Sequence, residues 1–262
     1  MEQGYDPKLR QPNRDQDYIQ LSMNESEKQI PWHPRIVIKE HHSCGILVIE
    51  KPPGLLSHPN DKKSIHQSII QAPFDPKTEA FIINKKNPIF LNNRLDSPTS
   101  GLIVLSDSQK CKQYLDHLFK ENKITKIYYA LVKGIPHSRE AIWQDRLQTS
   151  KGKNLRTQTS RSGIPSKTEM RLIKSTRKTP IPISLIELRP LTGRTHQLRV
   201  QAASRKMPIL GDGVYGDFKM NRLLEKSSQI NRLCLHAREI RIPLPNQECL
   251  TVQTKADFEN SI

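Results

Sequence analysis

The chain has 262 residues, enough for one domain or two small ones around a buried core, and only 35% of them are apolar. Forty-two Lys and Arg against 26 Asp and Glu leave a formal charge of +16, which points to a polyanionic partner, nucleic acid first and an anionic membrane surface second. The apolar runs are strand-length, which excludes a helix spanning a bilayer, and the acidic N-terminus lacks an apolar signal segment.

Cys44, Cys111, Cys234 and Cys249 are scattered without a C-x-x-C pair. That suggests neither a disulfide framework nor a zinc site, and it fits four buried free thiols in a reducing cytoplasm.

Residues 1–34 are polar and interrupted by Pro7, Pro12, Pro31 and Pro34, the pattern of a flexible or surface-draped extension. The ordered domain is expected over residues 35–262. It begins with two short β-branched runs, 35–38 and 45–51, that read as strands. Lys51-Pro52-Pro53-Gly54 opens a rigid loop suited to shaping a rim. A short helix is expected from Ser64, as its N-cap, to Ile70. Asp96 then sits in a hydroxyl-rich turn between the apolar runs 88–91 and 102–105.

Ser106, Asp107 and Ser108 offer caps for the clearest helix, whose apolar stripe is Cys111, Tyr114, Leu115, Leu118 and Phe119. Residues 124–132 read as a buried strand ending at Gly134. Residues 149–180 are basic and poor in apolar side chains, equally suited to a solvated loop and to an RNA-facing surface, with a short strand at 168–173. A strand at 183–188 leads through Arg194 and His196 into a helix reaching about Ser204. Gly211-Asp212-Gly213 reads as a turn, and strands near 234–242 and 250–254 complete the chain. Strands outnumber helices and mostly follow one another. The fold class is therefore α+β, a mixed, mainly antiparallel β-sheet with flanking helices.

Familiar catalytic patterns are missing: no phosphate loop, no G-x-G-x-x-G after a strand, no G-x-S-x-G elbow. His41-His42 has no ligands at metal spacing, so no metal is expected. What remains is a lone carboxylate, a basic helix start and a basic surface. Taken alone, Asp96 reads as a surface turn whose side chains satisfy their own backbone.

Four blocks change that reading. Arg94-Leu95-Asp96-x-x-Thr99-Ser100-Gly101-Leu102 resembles the active-site motif of the pseudouridine synthases, and more narrowly of the RluA-type family that modifies ribosomal and transfer RNA. Three further segments are similar to that family in its order. They are Leu47 to Leu55 with its Lys51-Pro52-Pro53-Gly54, Lys126-x-Tyr128-x-Ala130-Leu131-Val132-x-Gly134, and Leu191-x-Gly193-Arg194-Thr195-His196-Gln197-Leu198-Arg199, followed by Pro208-Ile209-x-Gly211-Asp212. Leu235-His236-Ala237 matches a late family segment as well. Departures from the pattern are Asn93 where many members have His, Gln201 for a frequent His, and Arg205-Lys206-Met207, and these bear on the contacts to RNA.

The resemblance implies a catalytic domain over 35–262 that detaches uracil from its ribose and rejoins it through C5, with no cofactor and no metal. It makes Asp96 the catalytic carboxylate, Arg199 its basic partner and Tyr128 the residue stacking on uracil. Arg94, Arg194 and His196 are expected to bind RNA or brace the loop. A monomer in the cytoplasm, acting on RNA and away from membranes, is expected. Two rivals stay open: a non-catalytic RNA-binding or ribosome-assembly protein on the same fold, and a glycoside hydrolase. The second ordinarily needs another carboxylate across the bond.

Overall fold

In the computed structural model, residues 29–83, 88–150, 156–177, 181–228 and 231–262 are described. The extension expected over residues 1–34 thus lies mostly outside the described residues. Its last part is already packed: Trp32 bridges to Ile70, and the Ile30 and Trp32 side chains lie on the core.

The sheet is built outward from two strands with no polar face. β1 (Val37–His41) pairs with β2 (Ile46–Lys51), and β2 pairs antiparallel with β6 (Ser100–Ser106). Along β2 and β6, Leu47, Ile49, Ile103 and Leu105 enter one apolar cluster while Ile46, Val48, Leu102 and Val104 enter another. Successive residues of a strand point to opposite faces, so burial on both sides requires a continuous apolar run. The first cluster is closed by the short strands β3 (Phe74–Asp75), β4 (Ala80–Phe81) and β5 (Ile89–Leu91). Helix α1 (Gln109–Lys120) closes the second with Cys111, Leu115 and Leu118, the stripe read from its spacing, and Ser108 is its N-cap.

β7 (Thr125–Lys133) continues the sheet, followed by β8 (Glu140–Thr149), β9 (Thr157–Thr159), β10 (Ile164–Thr176) and β11 (Ile183–Pro190). Helices α2 (Gln197–Ser204) and α3 (Phe218–Ser228) precede β12 (Leu235–Pro243) and β13 (Cys249–Gln253). The strand order β3-β4-β5-β6-β12-β7-β11-β10-β8-β9 places β12 between β6 and β7. The β6–β12 pair is parallel and the other named pairs are antiparallel, so the mixed, mainly antiparallel sheet is as expected. No helix among the described residues is long and apolar enough to cross a membrane.

Three expectations are corrected, and one helix is new. The turn near Ser64 is a 3-10 helix, Lys62–Gln67, whose N-cap is Asp61; Ser64 completes a capping box from its third position. The basic segment 149–180 is largely sheet where it is described, because β8 pairs with β10 on one side and β9 on the other, in a part of the sheet covered on one face only. Trp143, Leu147, Ser166, Thr168 and Met170 point inward while charged neighbours stay in solvent, which explains the low apolar content. Helix α3 escaped notice because only Met220 and Leu224, one turn apart, are buried among polar neighbours. Finally, Cys111 and Cys234 are buried but Cys44 and Cys249 are exposed.

Candidate active site

The loop between β5 and β6 carries Asp96, and hydrogen bonds to β6 and to residues 51–57 hold it. Asn93 Oδ1 accepts the Val104 amide at 2.6 Å, tying the loop to β6. Ser57 Oγ donates to the Leu95 carbonyl at 2.8 Å and accepts the Leu95 amide at 3.0 Å. Gly54 and Ser97 exchange two further bonds. Lys51 is fully buried, and its Nζ donates to the carbonyls of Pro52, Leu55 and Ser97 at 3.0, 2.9 and 2.9 Å. Three acceptors match the three hydrogens of an ammonium group. Burial draws the Lys51 pKa down to about 7, against the opposing pull of Asp96. The proline-rich loop is thus a brace for Asp96 as well as a rim.

The other wall of the site comes from α2 and the turn after it. Arg199 is 4% exposed and donates from Nη1 to Asp96 Oδ2 at 2.8 Å. Its opposite edge donates from Nε and Nη2 to the two oxygens of Asp212 at 2.8 and 2.9 Å. Asp212 is 1% exposed and also accepts the amides of Val214 and Tyr215. Burial raises its pKa, but the Arg199 hydrogen bonds and charge and those two amides leave it below the usual carboxylate value. Arg199 in turn is held charged by both carboxylates despite its burial. Asp96 is half-buried, and its Oδ1 has no hydrogen-bond donor among the described residues. One oxygen is anchored and the other is open to the cavity.

That cavity has a volume of about 770 Å³, and Arg94, Asp96, Tyr128, Arg194, His196 and Arg199 all line it. Every residue expected at the site is therefore brought to one place from three separate segments. Their contacts differ. Burial and the neighbouring Asp96 charge raise the Tyr128 phenol pKa, which keeps it protonated at neutral pH. His196 Nε2 lies 3.7 Å from Asp96 Oδ2. Arg94 is exposed on the rim beside His58, at 3.4 Å, and Arg194 reaches the Pro165 carbonyl at 3.3 Å.

Sequence reasoning gave no role to Lys51, Lys126, Asp212 or Tyr215, although the first three stood within the family-like blocks. Gln201, read as a change in the contacts to RNA, is fully buried; it accepts from Thr168 and donates to Asp145, joining α2 to β10 and β8. Asp212 supplies a second carboxylate, but both of its oxygens are committed to Arg199 and the backbone, so it is not placed as the acid–base partner that glycoside hydrolysis requires.

Residues 45–204 match the family model described as RNA pseudouridylate synthase. The chain is 34% identical over 160 residues to the ribosomal large subunit pseudouridine synthase C of Buchnera aphidicola subsp. Baizongia pistaciae, covering 60% of this chain and 50% of that protein. It is thus matched to half the length of that relative. It is 30% identical over 216 residues to the tRNA pseudouridine synthase C of Vibrio parahaemolyticus, covering 77% of this chain and 83% of that one. The solved structure of human RNA pseudouridylate synthase domain containing 1 shares the fold, with a TM-score of 0.66 at 24% identity over 87% of this chain and 86% of that chain. The family match spans both the Asp96 loop and Arg199, the two sides of the cavity, and with it the chain belongs to the RNA pseudouridylate synthase family.

Proposed function

We propose that this protein isomerises uridine to pseudouridine in ribosomal or transfer RNA, with Asp96 as the catalytic carboxylate. The observation that carries the reading is the Asp96–Arg199 pair at the wall of a cavity that also holds Tyr128. Uracil must leave C1′ of its ribose, turn, and rejoin through C5. A carboxylate suits this because it can stabilise or add to an electron-poor sugar carbon. Arg199 donates to Asp96 Oδ2 and fixes it, leaving Oδ1 to face the substrate. Tyr128, as a neutral phenol, offers a flat face for the base and an oxygen near its edge.

A base in a stem or stacked loop must be everted to reach this cavity. The charge of +16 supports binding to the flanking phosphates. The names of the two relatives support ribosomal or transfer RNA as the substrate class. The reading includes a single catalytic domain over residues 35–262, a monomer, and action in the cytoplasm.

The test is Asp96→Asn. With uridine-containing transcripts, the wild type is expected to form carbodiimide-reactive pseudouridine, and the variant to form none while binding RNA with similar affinity. Equal turnover by the variant would sink the assignment. A wild type that binds RNA without forming pseudouridine would favour the non-catalytic rival.

A further inference from the structure

A path of polar contacts, two hydrogen bonds and a longer ionic approach, leads to Asp96 from the basic β8–β9 arm. Tyr215 Oη accepts the backbone amide of Thr157, on β9, at 2.8 Å. The same hydroxyl lies 2.8 Å from His196 Nδ1, and the His196 Nε2 lies 3.7 Å from Asp96 Oδ2. The tyrosine ring is itself held, with the Arg199 guanidinium carbon 5.2 Å and the Arg156 one 6.0 Å from its centroid. His196 occupies the N-cap position of α2 but makes no capping bond with its side chain. It adopts φ +54°, a left-handed conformation that costs a non-glycine residue free energy, and its ring is turned to the site instead.

The donors and acceptors determine the tautomer. Tyr215 Oη spends a lone pair on the Thr157 amide, and its own hydrogen needs an acceptor. Among the described residues His196 Nδ1 is the acceptor in reach. An unprotonated Nδ1 places the ring hydrogen of a neutral imidazole on Nε2, the nitrogen facing Asp96. We infer that Tyr215 is a positioning residue that locks His196 in this tautomer, so that His196 presents an N–H to the anchored oxygen of Asp96 and leaves Oδ1 free for the substrate. Burial lowers the His196 pKa; Asp96 opposes this, Arg199 adds to it and Asp212 opposes it, with a net value below the usual one that keeps the ring neutral at pH 7. His196 is in this state a donor, and a general base at Nε2 is excluded. The role given to Asp96 rests on the proposed reaction; the tautomer rests on the hydrogen bonds of a neutral ring.

The experiment is ¹⁵N NMR of histidine-labelled full-length protein without RNA, with the His196 signals assigned by their loss in His196→Asn, since Asn also tolerates the left-handed region. The expected result is a protonated Nε2 and an unprotonated Nδ1 in the wild type. In Tyr215→Phe, which keeps the ring and removes the hydroxyl, the two nitrogens should become a mixture. Its kcat should fall about tenfold, the upper end of the scale of one hydrogen bond between neutral groups, with KM unmoved. A wild-type His196 protonated on Nδ1 overturns the inference, as does Tyr215→Phe with an unchanged tautomer and wild-type kcat. Should Tyr215→Phe not fold, the wild-type tautomer decides. A wild type that forms no pseudouridine overturns the proposed reaction and leaves the tautomer result standing.

Discussion

Arg199 gives one edge of its guanidinium to Asp212 and the remaining nitrogen to Asp96, so the aim of the candidate catalytic carboxylate is set by a second, buried one. Asp212→Asn removes the charge that orients Arg199. Breaking one side of a buried ion pair costs about 3–5 kcal/mol. Urea unfolding is expected to show a loss of that size, and pseudouridine formation should fall with RNA affinity little changed. A variant as stable and active as the wild type would mean that Asp212 is a bystander.

The same pair gives a pH dependence. The folded-state pKa of Asp212 lies below its ordinary value, so its contribution is full above the ordinary carboxylate value and is lost as pH falls through the folded one. Unfolding free energies measured from pH 7 down to about 3 should fall for the wild type, and less steeply for Asp212→Asn. Parallel curves would remove Asp212 from the account.

Gly101 stands where β6 and β12 meet. It has φ +112°, and a Cβ there would lie 2.3 Å from the Ala237 carbonyl oxygen. Gly101→Ala therefore combines a disfavoured backbone with a clash against main chain that cannot swing aside. A loss of about 3 kcal/mol or more is expected in thermal or urea unfolding, well above the ordinary cost of a strand substitution. Near-wild-type stability would show that the two strands can separate locally.

Lys126 lines the cavity two residues before Tyr128, on the same side of β7. Its Nζ lies over the Phe119 ring at 5.7 Å, and burial lowers its pKa. No carboxylate pairs with it among the described residues. A cation placed like this suits a phosphate beside the target nucleotide. Lys126→Met should weaken RNA binding about uniformly across sequences and reduce the slope of log affinity against log salt by about one. An unchanged slope would place the phosphates elsewhere.

How much of this could be read from the residues alone depended on how local the signal was. Asp96, Tyr128 and Arg199 each stand in a short motif, and the α1 stripe repeats within four turns, so these were legible. Asp212 was not, because Gly-Asp-Gly describes a turn equally well and its partner lies 13 residues away on a helix. Lys51 read as the start of a rim because its burial and its bond to the Ser97 carbonyl, 46 residues away, are set by tertiary packing. The sheet of β8, β9 and β10 was obscured by its open face, where Lys167, Glu169 and Arg171 alternate with buried Ser166, Thr168 and Met170 along β10. Gln201 looked like an RNA contact because sequence does not tell which face of α2 is buried.

The β6–β12 junction has a consequence for biosynthesis. Asp96 and Arg199 are 103 residues apart, and Ser100 and His236 are 136 apart. Contacts at such separation form late, after the entropy of closing long loops has been met. A nascent chain that has released the paired strands β2 and β6 from the ribosome already has its carboxylate loop, but neither its arginine nor the strand that completes the sheet beside it. Chemical competence therefore waits until α2 and β12 have been made, and a chain halted before α2 would carry Asp96 with nothing to aim it.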